Sequence, residues 1–293
     1  MPNFTISCES TVDLNHAWAE RRGIKLAYFH YYLDETEYLD DFFRSMQPHE
    51  LYRRMLDGAE TRTSQVNAEE YERLFREELE QGRDVLHITL SSGISGTINS
   101  ARIAAETLGE EFPERRIYVV DSLCASSGYG LLVDIAADLR DSGRELDSLR
   151  DELEERKHCI QSWFFTSDLT FFIRGGRVSK TAGFVGRVLN ICPLLRVAAD
   201  GSLKPVEKLR GKKRTMERML QKIESLSSEG ADFSGRCCIS HSDCIQDAEA
   251  LRERIFARFP RVKCVEIYPI GTTIGCHTGP GTVAMFFEGK RRA

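Results

Sequence analysis

Asp84-Val85-Leu86-His87-Ile88-Thr89-Leu90, followed by Ser91-Ser92-Gly93-Ile94-Ser95-Gly96-Thr97, is the stretch from which the fold can be read. The first seven residues form a compact apolar run that predicts a buried strand. Residues 98–108 come next, with Ile98, Ala101, Ala105 and Leu108 on one helical face. A strand, a tight turn of Ser and Gly, and a helix start bring backbone N–H groups and hydroxyls to one point. The first N–H groups of a helix lack partners and its dipole favours negative charge, so such a point suits an anion. A plain strand-to-helix turn capped by Ser fits the same residues, and the neighbouring segments have to decide.

Working outward, residues 4–7 predict a strand, 15–22 a short helix and 24–32 a second strand dense in aromatics. Residues 39–56 are mixed, turning helical from Glu50, and 61–66 read as a polar connector. Asn67 with Glu70 three residues on is an N-cap signature, and the helix it opens carries Tyr71, Leu74, Phe75 and Leu79 at helical spacing. Beyond the opening stretch, 117–120 is a third buried strand ending at Asp121-Ser122, and 128–139 and 145–157 are helices. Strands alternating with helices predict a mostly parallel sheet flanked by helices. Ligands of such sheets sit beyond the carboxyl ends of the strands. The polar turns after Ser7, Leu90 and Val120 fall there.

The second half changes character. Residues 161–166 predict an aromatic strand, 184–191 a helical patch, and 194–199 with 202–209 a hairpin around Asp200-Gly201. A helix (212–226), a strand (236–240), a helix (246–259) and strands at 262–268 and 282–287 follow. The expectation is an α/β chain: an N-terminal domain, 1–157, with the parallel sheet and the anion-binding loops, and a C-terminal α+β domain, 158–293, with a largely antiparallel sheet.

Composition narrows the function. With 293 residues, 41% hydrophobic, 29% charged and a net charge of −5, the chain lacks the basic footprint of a nucleic-acid binder. The basic run at 208–214 has no interleaved aromatic, and reads as a solvated helix start or a docking patch for an acidic partner. No apolar run is long enough to span a bilayer, and the N-terminus shows no basic flank or apolar signal core. Nine cysteines, an odd number, fit reduced thiols, so the expected location is cytoplasmic. Cys237, Cys238, His241, Cys244 and Cys264 invite a zinc site. The adjacent Cys237 and Cys238 would point to opposite faces of a strand, and buried structural thiols fit better, with no metal expected.

Three constellations could carry chemistry. Gly93-Ile94-Ser95-Gly96-Thr97 nearly matches a nucleophile elbow, with His277 and Asp121 available for a triad of an acyl-ester hydrolase. Thr97, however, stands where the elbow needs its second Gly. No phosphate loop or dinucleotide fingerprint occurs, so nucleotide binding by those loops has no support. Finally, residues 270–281 hold four Gly, one Pro and His277. Gly permits close backbone approach and His can hydrogen-bond an anion or its acid; a turn around a buried, satisfied His is the alternative.

Several segments together resemble the DegV family of fatty-acid-binding proteins, some of which are lipid-carrying subunits of a bacterial fatty acid kinase. They are Glu9-Ser10-Thr11-Val12-Asp13-Leu14, Thr63-Ser64-Gln65, the Ser91–Thr97 loop with Asn99-Ser100-Ala101, Val120-Asp121-Ser122, Gly175-Gly176-Arg177-Val178-Ser179, Asp200-Gly201 with Glu207-Lys208, and Ile274-Gly275-Cys276-His277-Thr278-Gly279-Pro280-Gly281. The resemblance implies a non-catalytic protein that holds a long-chain fatty acid between two domains, with no cofactor. Thr63, Ser95, backbone at Gly96 and His277 would meet the carboxylate. Ser64, Thr278, Ser122 and either Arg177 or Arg174 would support them. The implied partner is a separate ATP-dependent kinase that makes an acyl phosphate for phospholipid metabolism, with at most transient contact with a membrane surface. A lipid-binding regulator without a kinase stays open. Cys8-Glu9 departs from the family's usual Thr-Asp, and the aromatic, acidic region 29–46 would shape its own tail pocket.

Overall fold

β1 (Phe4–Glu9) sits inside a four-stranded, wholly parallel sheet with the order β2 (Lys25–Ala27), β1, β6 (Asp84–Thr89) and β7 (Ile117–Asp121). This is the arrangement in the computed structural model, which describes residues 3–179 and 191–292. All six residues of β1 are buried, so its period of two sorts chemistry instead of exposure. Phe4, Ile6 and Cys8 join the main apolar core. Thr5, Ser7 and Glu9 turn the other way, towards Glu78, His87 and Tyr71.

Helices cover both faces, as the alternation predicts. α1 (His16–Arg22) starts at Asn15, whose side chain accepts from Trp18 N–H. α3 (Ala68–Leu79) opens with the expected capping box of Asn67 and Glu70 and packs on α4 (Thr97–Glu111). α5 (Ser126–Asp141) and α6 (Leu146–Arg156) lie on the opposite face, and most of α5 is buried. A helix apolar all round belongs inside. α5 is buried because a second sheet covers it.

That sheet has six strands in the order β10 (Leu203–Arg210), β9 (Ile191–Val197), β8 (Ile160–Phe165), β13 (Val283–Glu288), β11 (Arg236–His241) and β12 (Cys264–Pro269). Every pairing is antiparallel except β11 with β12. α8 (Lys212–Leu226) and α9 (Ile245–Arg258) close one face over Phe165, Ile239 and Met285. Phe164, Leu195 and Phe286 on the other face share the core with Tyr129 and Leu132 of α5. Cys237 packs into the first of these cores and Cys238 into the second, so the adjacent thiols do face opposite ways.

Three local expectations change, at 24–32, 61–66 and 270–281, and the helix expected towards the end of 39–56 is present. The strand anticipated at 24–32 divides in two, because Phe29 N–H leaves the sheet to bond Ser10 Oγ at 3.1 Å. Its second part, β3 (His30–Leu33), joins β4 (Thr36–Leu39) and the supposed connector, now β5 (Thr61–Ser64), in a small antiparallel sheet. The helical part of 39–56 is α2 (Pro48–Leu56). The glycine-rich run 270–281 holds a seven-residue helix, α10 (Thr272–Thr278), which packs on α7 (Thr170–Arg174), a helix the sequence did not announce. The helical patch expected at 184–191 lies outside the described residues, apart from Ile191, which starts β9. Among the described residues, no helix is long and apolar enough to cross a membrane.

Candidate functional site

The segments that follow β2, β6 and β7, at Phe29, at Leu90, Ile94, Ser95 and Gly96, and at Ala125-Ser126, open onto a cavity of about 340 Å³ between the first sheet, the small sheet and the second sheet, whereas the turn after β1 does not line it. That volume lies in the usual range for small-molecule sites. Thr63, Ser64, Gln65, Ser95, Gly96 and His277 line it together, and Phe29, Phe164, Phe172, Phe286, Ile94 and Ile274 also contribute. Polar and apolar linings of this kind fit an amphipathic ligand.

Hydrogen bonds within and around it shape the Ser91–Thr97 loop. Ile94 and Ser95 N–H both donate to Ser91 O, and Gly93 N–H donates to Ser91 Oγ. Asp121 Oδ1 accepts from Ser92 and Leu123 N–H, which fixes the loop to the end of β7. Thr97 N–H donates to Ser95 Oγ at 3.3 Å, so the Ser95 hydroxyl proton is available to an acceptor in the cavity. Gly96 is the N-cap of α4, and a side chain there would meet Gln65 Oε1 at 2.9 Å.

Facing the loop, His277 Nε2 lies 2.8 Å from Thr63 Oγ1. Burial, reinforced by the charge of Arg177, holds the imidazole pKa down to about 3, so the ring is neutral at neutral pH. In its Nε2-protonated tautomer the ring donates to Thr63 and leaves the Thr63 hydroxyl proton to a ligand. His277 Nδ1 is buried with no hydrogen-bond partner among the described residues. It faces Gly175, where a Cβ would come within 2.3 Å. The first Gly of Gly175-Gly176-Arg177 therefore makes room for this ring.

Of the other expected site residues, the structure brings in some and not others. Arg177 lines the cavity and braces the loop, its guanidinium donating to Ile94 O at 3.3 Å and to Gly175 O. Arg174 is exposed and lies over the Phe171 ring, so of the two it is Arg177 that lines the cavity. Thr278 lines the cavity while its hydroxyl is spent on the Gly279 carbonyl at 3.1 Å. Ser122 turns inward, its Oγ bonded within the turn to Cys124, and does not line the cavity. Gln65, not among the expected site residues, lines the cavity and donates to Ser100 Oγ at 3.0 Å. Its place beside Thr63-Ser64 was the available signal.

The triad geometry is not assembled. His277 bonds Thr63, Ser95 Oγ accepts from backbone, and Asp121 is occupied by two backbone N–H groups. Among the described residues no hydrogen bond joins Ser95 to His277 or His277 to Asp121.

Fold and site together define an α/β chain of three sheets, with hydroxyls, a neutral imidazole and a helix start grouped around a partly apolar cavity. The chain belongs to the DegV family, whose model, described as an uncharacterised protein family, matches residues 3–290. A DegV domain-containing protein of Clostridium perfringens is 36% identical over 295 residues, covering 100% of this chain and 99% of the relative. A Thermus thermophilus structure described as fatty acid binding of a DegV family protein superposes with a TM-score of 0.88 at 30% identity, covering 98% of this chain and 99% of that one. The Fak B3 protein of the Streptococcus pneumoniae fatty acid kinase, loaded with linoleic acid, shares the fold with a TM-score of 0.84 at 22% identity, over 98% of this chain and 99% of its own.

Proposed function

We propose that this protein binds one long-chain fatty acid in the cavity and presents its carboxylate to a separate ATP-dependent kinase, carrying the acyl phosphate away. The observation that carries the binding role is that the Ser95 hydroxyl, with a proton to donate, and the Thr63 hydroxyl, whose proton is free when His277 carries its own on Nε2, stand at one partly apolar cavity. Neutral donors to a carboxylate make charge-assisted bonds without a directly paired cation. Arg177, engaged with two carbonyls behind the loop, supplies diffuse positive charge. A C16 chain buries about fifteen carbons at ~0.8 kcal/mol each, a gross ~12 kcal/mol before ordering costs. That sustains the slow release a carrier needs. Residues 1–157 supply most of the head-group donors and 158–293 cover much of the chain, with His277 the exception that crosses over. The fatty-acid-binding Thermus relative supports the ligand, and the pneumococcal kinase protein supports the partner.

Native mass spectrometry of protein purified from bacterial cells tests the ligand. The expected mass exceeds that of the polypeptide by one fatty acid; an apo mass with no extractable lipid overturns the reading. Ser95→Ala should weaken fatty-acid affinity about tenfold, as expected for one hydrogen bond to a charged group. A pull-down that recovers an ATP-binding partner separates kinase subunit from stand-alone regulator.

A further inference from the structure

Beneath the Ser91–Thr97 loop lies a fully buried carboxylate that the binding scheme does not use. Glu9 closes β1, is 0% exposed, and projects to the α3 side of the first sheet. Its Oε2 accepts Leu90 N–H at 2.7 Å, at the point where the loop leaves β6. Its Oε1 accepts the Tyr71 hydroxyl at 2.7 Å. Tyr71 Oη is in turn 2.7 Å from Thr97 Oγ1, and with its own proton given to Glu9 it accepts the Thr97 hydroxyl. Thr97 N–H donates to Ser95 Oγ. One carboxylate thus holds both ends of the loop, the entry directly and the exit through Tyr71.

Further contacts fix the carboxylate itself. Tyr129 Oη lies 3.0 Å from Oε2 and accepts Glu9 N–H at 2.9 Å. His87 Nε2 stands 3.5 Å from Oε1, with its Nδ1 bonded to Ser7 Oγ at 2.8 Å. Two of the groups that converge on the carboxylate are plain donors, Tyr71 O–H at Oε1 and Leu90 N–H at Oε2, while the single Tyr129 proton also has Ile88 O in reach; an acceptor at both oxygens satisfies the two donors, and an amide would set its NH₂ against one of them.

We infer that Glu9 is a positioning residue for fatty-acid recognition: through Leu90 and through the Tyr71–Thr97 relay it sets the loop so that the Ser95 hydroxyl proton points at the ligand's carboxylate. The inference rests on the binding role proposed above and assigns a use to Glu9, whose place in the first turn the family resemblance leaves open. Glu9 does not itself line the cavity, and of the apolar lining residues it holds only Leu90, by the backbone. Its effect is therefore expected mainly on the head group.

The test compares two ligands of one chain length, palmitate and hexadecanol, on delipidated wild type, Glu9→Gln and Tyr71→Phe, with thermal melting run alongside. Wild type should favour the acid. Glu9→Gln should lose about tenfold or more in palmitate affinity while hexadecanol affinity stays within twofold. Tyr71→Phe cuts the relay but keeps Glu9, and should lose about threefold for the acid only. Equal losses for acid and alcohol would mean a merely structural carboxylate, and unchanged ratios in both variants would likewise overturn the inference. If Glu9→Gln does not fold, Tyr71→Phe decides by the same ratio. A wild type that binds neither ligand, or does not favour the acid, defeats the proposed function instead.

Discussion

His277 is where burial and charge act most directly on one group. Its pKa of about 3, against an ordinary 6.5, means that the folded chain takes up this proton far later than the unfolded chain as pH falls. Between those values the unfolded state binds more protons, so stability rises with pH across the window and is fully present above it. Unfolding of delipidated protein by urea between pH 4 and pH 7 should therefore show a slope that His277→Asn flattens; parallel slopes would refute this account of the ring. Ser95 and His277 could be singled out from the sequence because a hydroxyl and a histidine in glycine-rich turns suit an anion, whereas Thr63, in a polar segment without glycine, came only with the family resemblance. Glu9 could not, since its value lies in Tyr71 and Leu90, residues 62 and 81 positions away. Arg174 and Arg177 were inseparable by residue type. The backbone between them turns one outwards over Phe171 and the other onto Ile94.

At the scale of elements, the long periodic helices and the buried strands were legible, and the short pieces that complete the site were not. β5, Thr-Arg-Thr-Ser, has no apolar face, and it is a strand because β3 offers it backbone partners. α10 hides among glycines, and its N-cap, Gly271, has no side chain to cap with. The cap comes instead from Asp40, whose buried carboxylate accepts Thr272 Oγ1 at 2.7 Å, Thr272 N–H at 3.2 Å and Thr273 N–H at 3.3 Å. No reading of local spacing finds a cap 232 residues away. Because α10 carries His277, Asp40→Ala should cost about 1–2 kcal/mol in stability, as for other lost caps. It should also lower palmitate affinity, whereas a control cut at the exposed Asp57 should do neither. Denaturant melts and ligand titrations on both variants check this, and an Asp40→Ala protein as stable as wild type would remove the cap from the argument.

Across the whole molecule, the two halves meet at backbone, not only through side chains. The β9–β10 turn rests on the head-group loop: Ser91 Oγ donates to Gly201 O at 2.9 Å. Arg292 reinforces the junction from behind, donating to Leu123 O, Ala198 O and Lys157 O at 3.0, 3.2 and 2.8 Å. Gly201 has a φ of +76°, which favours glycine, and Gly93 is the matching residue across the contact. A Cβ at Gly93 would fall 2.4 Å from Gly201 C, 2.6 Å from Ser202 N and 2.7 Å from Asp200 O. All three are backbone atoms, so no rotamer relieves the clash and the hairpin has to move. Val197 and Leu203, at the two ends of that hairpin, line the cavity, so the displacement opens the apolar wall. Gly93→Ala should then cost about 1–3 kcal/mol, the usual range for overpacking. Bound palmitate should also pass to acceptor vesicles at least several-fold faster, with little change in the preference for acid over alcohol that the loop controls. Ser92→Ala, one residue away and exposed, should release ligand at the wild-type rate. If Gly93→Ala keeps palmitate as long as wild type does, the hairpin is not what retains the chain, and closure of the cavity must come from elements other than this contact.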